Sequence, residues 1–322
     1  MASKKKPPRR NATRKSGPAK DTRPRASAHN YLPDSGQFLV QLVSAVAAGK
    51  AEPRMLIDLC PGFVLTDLLA HSPDVEGANV CLAASHSLRA AYEWLGIRAQ
   101  VVAVQLEVQR KDGSGTRYGA EAPTFDPATR AFSGHCVTYL PDRQRVCDLT
   151  VAQFPEIRRS DPSPVLGKAA LESRDGLHTF SDPTPGPLVE GQKFMVARED
   201  LTLTYIFLGD EATATAHTFM TREPMDSAAA MQAQLIDGLH VIAMIVAMAI
   251  ADPDLSRVAR TLSDVPRFVA LVDALQGATW DVQTGEADAF ILPNGTRILM
   301  RDLALPADVP QPLPQTPVHV LT

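Results

Sequence analysis

The stretch Phe132–Phe154, FSGHCVTYLPDRQRVCDLTVAQF, reads as two short strands joined by a turn at Pro141-Asp142. Its register follows from parity. A turn centred on Asp142-Arg143 pairs Leu140 with Arg145 whether the loop holds two residues or four. Val137 then lies opposite Asp148, and His135 shares the face of Val137 because strand side chains alternate. His135 and Asp148 become diagonal neighbours with Cα atoms roughly 7–8 Å apart, within side-chain reach. The same parity sends Cys136 and Cys147 to the opposite face with Phe132 and Leu149, packed as small hydrophobes.

Upstream, NVCLAASHSLRAAYEWLG (79–96) predicts a helix capped by Asn79 and stopped by Gly96. Ala84, Leu88, Ala91, Tyr92 and Leu95 form one face that includes Cys81 in the first turn. The free amides and dipole of a helix N-terminus favour a thiolate, and the same amides can stabilise an oxyanion. A thiolate nucleophile needs an imidazole to protonate the leaving group, and the imidazole needs a carboxylate to orient it. Cys81, His135 and Asp148 supply that set. Asn79 is explained as a helix cap and is a weaker candidate for an oxyanion donor; Gln153 reads first as a strand-end polar residue and second as a hydrogen-bonding group at the site. His86 is expected at the surface or behind the site, and Cys60, before Pro61, is expected to pack. Ser85 and Ser87 lack the GxSxG context of a serine nucleophile.

A Cys opening a helix that ends in LGIRA, then a strand, then GH on a second strand and DLT on a third, resembles the transglutaminase-like cysteine hydrolases of the papain-like group. The match covers roughly residues 79–154. The resemblance implies an α+β core, a Cys-bearing helix packed on an antiparallel sheet, and a triad of Cys81, His135 and Asp148 in that chain order. Where that family often has an aromatic after the Cys or His, this chain has Leu82 and Cys136-Val137. The implied activity is thiol-dependent acyl transfer on a peptide or protein substrate, by hydrolysis, deamidation or transfer to an amine. No cofactor and no metal is implied. A non-enzymatic interaction protein on the same fold, binding through its tail or C-terminal region, is the alternative.

Further along, IRAQVVAVQLEV (97–108) alternates and is β-branched, predicting a strand, and QRKDGSGTRYG after it reads as a polar loop. Residues 35–48 and 61–72 have helical spacing, 201–208 reads as a strand, and helices are expected over about 226–251 and 255–275. The end of the chain predicts strands around an Asn294-Gly295 hairpin turn. These elements divide the chain into a disordered basic tail (1–30), a transglutaminase-like core (31–155), a proline-rich loop or insertion (156–195) and an α+β C-terminal region with helices and a hairpin (196–322).

The 322 residues are ample for a buried core, and the composition is globular, with 45% apolar and 21% charged residues. Net charge is −4, yet residues 1–26 hold ten Lys or Arg and one acid, a net +9, which leaves −13 for the rest. Such a tail has little to bury and suits either a solvated, solubilising role or contact with nucleic acid or another acidic surface. The longest apolar run, Leu239–Ala251, is shorter than the ~20 residues a spanning helix needs and reads as a buried core helix, with no membrane role. Four cysteines without a secretory signal or CxxC pairs point to a reducing, cytoplasmic setting rather than a disulfide scaffold or zinc site. Neither a GxGxxG nor a P-loop is present.

Overall fold

A computed structural model describes residues 80–126, 131–160, 165–171 apart from 169, 188–221 apart from 199, 238–260 and 265–312, together with Cys60 and Val64. The expected basic tail and Asn79 lie outside the described residues, as do the expected helices over 35–48 and 61–72 apart from Val64, and the part of the expected helix over about 226–251 that precedes Gly238.

The fold is α+β, built on an antiparallel sheet. Helix α1 (Val80–Trp94) leads into the long strand β1 (Gln100–Arg110). At the end of α1, Gly96 at φ +77° closes the helix, with Gly96 N–H donating to Glu93 O at 2.9 Å and Ile97 N–H to Tyr92 O at 2.9 Å. This paired pattern needs a left-handed residue after the helix, which glycine adopts without a Cβ penalty.

The polar stretch after β1, expected as a loop, is instead a hairpin. Strand β2 (Gly115–Tyr118) pairs back on β1, with Leu106 opposite Tyr118 and a turn through Gly113 at φ +83°. Gly113 supplies the left-handed residue that a tight return requires, and Asp112 Oδ1 accepts the Ser114 N–H at 2.8 Å.

A two-stranded ribbon, β3 (Phe125–Asp126) with β4 (Ala131–Phe132), precedes the central hairpin of β5 (His135–Leu140) and β6 (Arg145–Asp148). Leu140 pairs with Arg145, Tyr139 with Val146 and Thr138 with Cys147, the register that parity predicts. The loop holds four residues, Pro141–Arg143 in a helical turn and Gln144 left-handed at φ 49°.

The proline-rich segment contributes structure where a loop was expected. Helix α2 (Pro155–Ser160) and strands β7 (Val165–Lys168) and β8 (Ala170–Leu171) lie within it. Strands β9 (Lys193–Ala197) and β10 (Leu201–Phe207) follow, and the sheet order is β7-β6-β5-β1-β10-β9-β8 with β2 also on β1. β7 and β8 stand at opposite ends of that order yet are one residue apart in the chain. The sheet therefore curls back towards itself, and β10, from beyond the proline-rich segment, lies next to β1.

Curling gives the sheet an inside. Val102, Val104, Leu106 and Val108 of β1 gather there with Val137, Tyr139, Val146, Phe194, Leu203, Tyr205 and Phe207. The outer face takes the helices: Val101, Ala103 and Cys136 pack with Leu82 of α1 and Ala216 of helix α3 (Gly209–Thr221). α3 was not anticipated; Thr213 Oγ1 ties it to β1 by accepting the Ala103 N–H at 3.1 Å.

The C-terminal region supplies helices α4 (Leu239–Ala251), α5 (Pro253–Ala259) and α6 (Pro266–Ala274). Strands β11 (Thr279–Trp280), β12 (Ala289–Ile291) and β13 (Arg297–Leu299) make a separate three-stranded sheet whose last turn is the expected one at Asn294-Gly295. α4 is buried on most of its surface against α1, as its unbroken apolar sequence requires. No helix among the described residues is long and apolar enough to cross a membrane.

α1 is more deeply held than a one-sided helix. Besides the predicted face, Leu82, Ala83, Ser85, His86, Ser87 and Ala90 are also buried, because the sheet, α3 and α4 enclose it.

Candidate active site

The first turn of α1, the start of β5 and the end of β6 meet at one point. Cys81, the second residue of α1, lies close enough to the His135 ring to help hold it charged. His135 is the first residue of β5, and its Nε2 lies 2.7 Å from Asp148 Oδ2 at the end of β6. Asp148 thus takes Nε2 and leaves Nδ1 as the ring nitrogen not bound to the carboxylate. All three side chains are buried: Cys81 is 3% exposed, and His135 and Asp148 are 1% each.

Ser85, one turn after Cys81, sets this geometry. Its Oγ donates to Cys136 O at 3.1 Å, and its own carbonyl accepts the Thr138 hydroxyl at 3.1 Å. Two buried hydrogen bonds thus clamp α1 along β5 and fix where its first turn falls. The helix consequently packs on the cysteine face of the hairpin. Cys136 and Cys147 are buried as expected, but the face they share is the one that receives α1, not a back remote from it. Parity assigns residues to two faces and is silent on which face a distant helix covers.

Asp148 is fully satisfied. Oδ1 accepts the Thr150 N–H at 3.0 Å and the Thr150 hydroxyl at 3.2 Å, and Oδ2 accepts His135 Nε2–H and the Tyr205 hydroxyl at 3.1 Å. Burial favours the neutral carboxyl, but the charge and hydrogen bond of His135, with Thr150 and Tyr205, outweigh it and hold Asp148 below the ordinary carboxylate range. For His135, burial favours the neutral ring, yet the charge and hydrogen bond of Asp148, with Cys81 adding to them, push the pKa up to about 10. The pair is an imidazolium–carboxylate ion pair at neutral pH.

Its contribution to stability therefore has two edges. An unfolded histidine titrates near ~6.5, so the share owed to His135 is complete below that and is lost as pH rises through about 10. The share owed to Asp148 is present above ~3.9 and is lost as pH falls through its depressed folded value. Denaturant midpoints measured across pH are expected to peak between ~4 and ~6.5 and decline on both sides. A midpoint that stays level as pH climbs to about 10 contradicts the ion pair.

Gln153 is brought to the site. Its Nε2 lies 3.4 Å from His135 Nδ1 and donates to Thr150 Oγ1 at 3.3 Å. Phe154 stands edge-on to the His135 ring at 5.1 Å, and Tyr118 stacks on Phe154 at 4.2 Å. Gly119, at φ +81°, runs so close that a Cβ would sit 3.3 Å from His135 Cβ and 3.0 Å from Val104 O. Only a residue lacking a side chain lets β2 end against His135 in this way.

Tyr205 and Thr150 went unread as site residues. The alternation of LTLTYIF places Leu201, Leu203, Tyr205 and Phe207 on one buried face, where a lone hydroxyl needs an acceptor; that was the available signal. Thr150, two residues past Asp148, is the local turn that satisfies a strand-end carboxylate.

His86 is not at the surface. It is 2% exposed, and its ring meets that of His217 on α3 edge-on at 4.9 Å. Burial, with the His217 and Arg89 charges, holds it neutral, well below the usual histidine range. Cys60 packs in the core beside α1 and α4. For Cys136, burial first, then the charges of Cys81 and Asp148, push its thiol well above its ordinary range. No disulfide joins the cysteines, and among the described residues no cluster of three or more His, Cys, Asp or Glu is placed to hold a metal ion.

Comparison of the chain with family models, curated proteins and solved structures finds no match in any of the three.

Proposed function

We propose that this chain is a thiol-dependent acyl-transfer enzyme of transglutaminase-like, papain-like type. The observation that carries the reading is the buried His135–Asp148 pair, Nε2 to Oδ2 at 2.7 Å, with Cys81 in the first turn of α1 close enough to raise the His135 pKa. A cysteine in the first turn of a helix packed on an antiparallel sheet, with His and Asp on neighbouring strands, supports the resemblance read from residues 79–154.

The chemistry follows from the ion pair. Cys81 Sγ attacks the carbonyl carbon of an amide or thioester, forming a C–S bond. His135 gives its Nδ1 proton to the departing nitrogen or sulfur as that bond breaks. Water or an amine then enters, loses its proton to His135 and displaces Cys81, restoring the thiol site. Asp148 keeps the ring oriented throughout and stabilises its charged form before and after the transfer. A peptide or protein is the substrate class proposed. Gln153, against Nδ1, is within reach of the reacting atoms as a hydrogen-bond donor.

Iodoacetamide at neutral pH tests this. Cys81 is expected to label at least about tenfold faster than Cys60, Cys136 and Cys147, because a thiolate paired with an imidazolium is the reactive species. Cys81→Ala removes that fast phase. If Cys81 reacts no faster than an ordinary thiol, the enzyme reading fails and a non-enzymatic interaction protein takes its place.

A further inference from the structure

His135 and Asp148 do not form a closed pair. Asp148 Oδ2 takes a second donor, the hydroxyl of Tyr205, at 3.1 Å. Tyr205 comes from β10, 57 residues on in the chain, and reaches the site because β10 pairs with β1, which pairs in turn with β5. Its ring is fully buried within the curled sheet, and its register partner Leu106 also faces inward.

We propose that Tyr205 is a positioning residue of this site, a fourth member that acts through Asp148 by anchoring the carboxylate oxygen shared with His135. The inference rests on the acyl-transfer reading of the site. Two donors converge on Oδ2 and two from Thr150 on Oδ1, so the carboxylate cannot rotate about its bond to Cβ without breaking hydrogen bonds on both sides. The donated hydroxyl also spreads the negative charge, which keeps the proton on the imidazole rather than letting Asp148 claim it. Burial and the Asp148 charge keep the Tyr205 phenol protonated, so it remains a donor across the working range. The titratable groups facing Asp148 are His135 from β5 and Tyr205 from β10, with Cys81 of α1 beyond the imidazole; Cys136 and Arg198 act at longer range.

Tyr205→Phe keeps the ring and removes the hydroxyl. In the full chain, the Asp148 carboxyl titration, followed by carbon NMR, is expected to move up by about one pH unit. The acid limb of the Cys81 iodoacetamide profile is expected to move up with it, and labelling at neutral pH to slow by about 3- to 10-fold. Leu203→Val, two residues away on the same buried face, controls for loss of packing: it lowers stability and leaves both profiles in place. If Tyr205→Phe shifts neither profile further than Leu203→Val does, Tyr205 is a packing residue and the proposal is overturned. Ordinary reactivity of Cys81 in the unaltered chain would instead remove the enzyme reading, with the Asp148 titration alone then deciding whether Tyr205 holds the pair.

Discussion

Asp148→Ala is expected to cost about 3–5 kcal/mol of stability and to slow Cys81 labelling by about 100-fold or more. The size of the first effect comes from what is left behind. His135 would be buried with its Nε2–H facing nothing, and the Tyr205 hydroxyl and both Thr150 donors would lose their acceptor. Burial is the largest influence on His135, and without the opposing Asp148 charge it would drive the ring neutral. On the proposed acyl-transfer reading, a neutral ring neither pairs with a thiolate nor carries a proton to a leaving group. Asp148→Asn separates the two effects: it retains hydrogen-bonding atoms and restores part of the stability, while labelling stays slow for want of the charge. Urea denaturation and iodoacetamide kinetics on the same preparations read both. A destabilised Asp148→Ala chain that labels at the original rate would show that the ion pair is structural and has no part in thiol activation.

Gly238→Ala is expected to destabilise the chain by about 3 kcal/mol or more. Gly238 precedes α4 at φ +68°, and a Cβ there would lie 2.3 Å from Ala91 N, 2.7 Å from Ala90 C and 2.8 Å from Ala91 Cα. These are backbone atoms of α1, which no rotamer change can move aside. The helix must shift bodily, and the core between α1 and α4 opens along Tyr92, Leu239, Ile242 and Val246. Thermal unfolding measures the loss. A variant within about 1 kcal/mol of the original would mean that the two helices do not approach so closely. Because α1 also carries Cys81, the variant should lose fast labelling together with its stability; the Asp148 variants can lose one without the other.

Much of the site was legible locally. Alternation and the Pro141-Asp142 turn were enough to pair Leu140 with Arg145 and so to set His135 beside Asp148, since parity survives any even loop length. The helix from 80 to 94 announced itself through its alanine- and leucine-rich run and the glycine that ends it. Cys60 and the apolar run of α4 were recognisable as core from composition alone. Where local reading fell short, the missing information was in each case a contact between distant segments. The polar stretch after β1 formed a hairpin because β1 offered an unpaired edge for Gly115–Tyr118. The proline-rich segment yielded β7 and β8 because the curling sheet brought β6 and β9 to either side of it.

His86 shows the same limit within a single helix. Five residues from Cys81, it reads as lying at the surface or behind the site, and α3 decides against the surface by burying it. Nothing within the helix announces that second neighbour.

The sequence by itself determined the hairpin register, the His135–Asp148 juxtaposition and the helix that begins at the cysteine, while the α+β core was what the family resemblance implied. The first three depend on periodicity and turn length, which act over a few residues. Only the tertiary structure decided which hairpin face α1 covers, that Cys81 meets His135 at the start of β5, and that Tyr205 completes the shell of Asp148. Those outcomes depend on how the sheet curls and which helices cover it, quantities set by packing of the whole core rather than by any window of the chain.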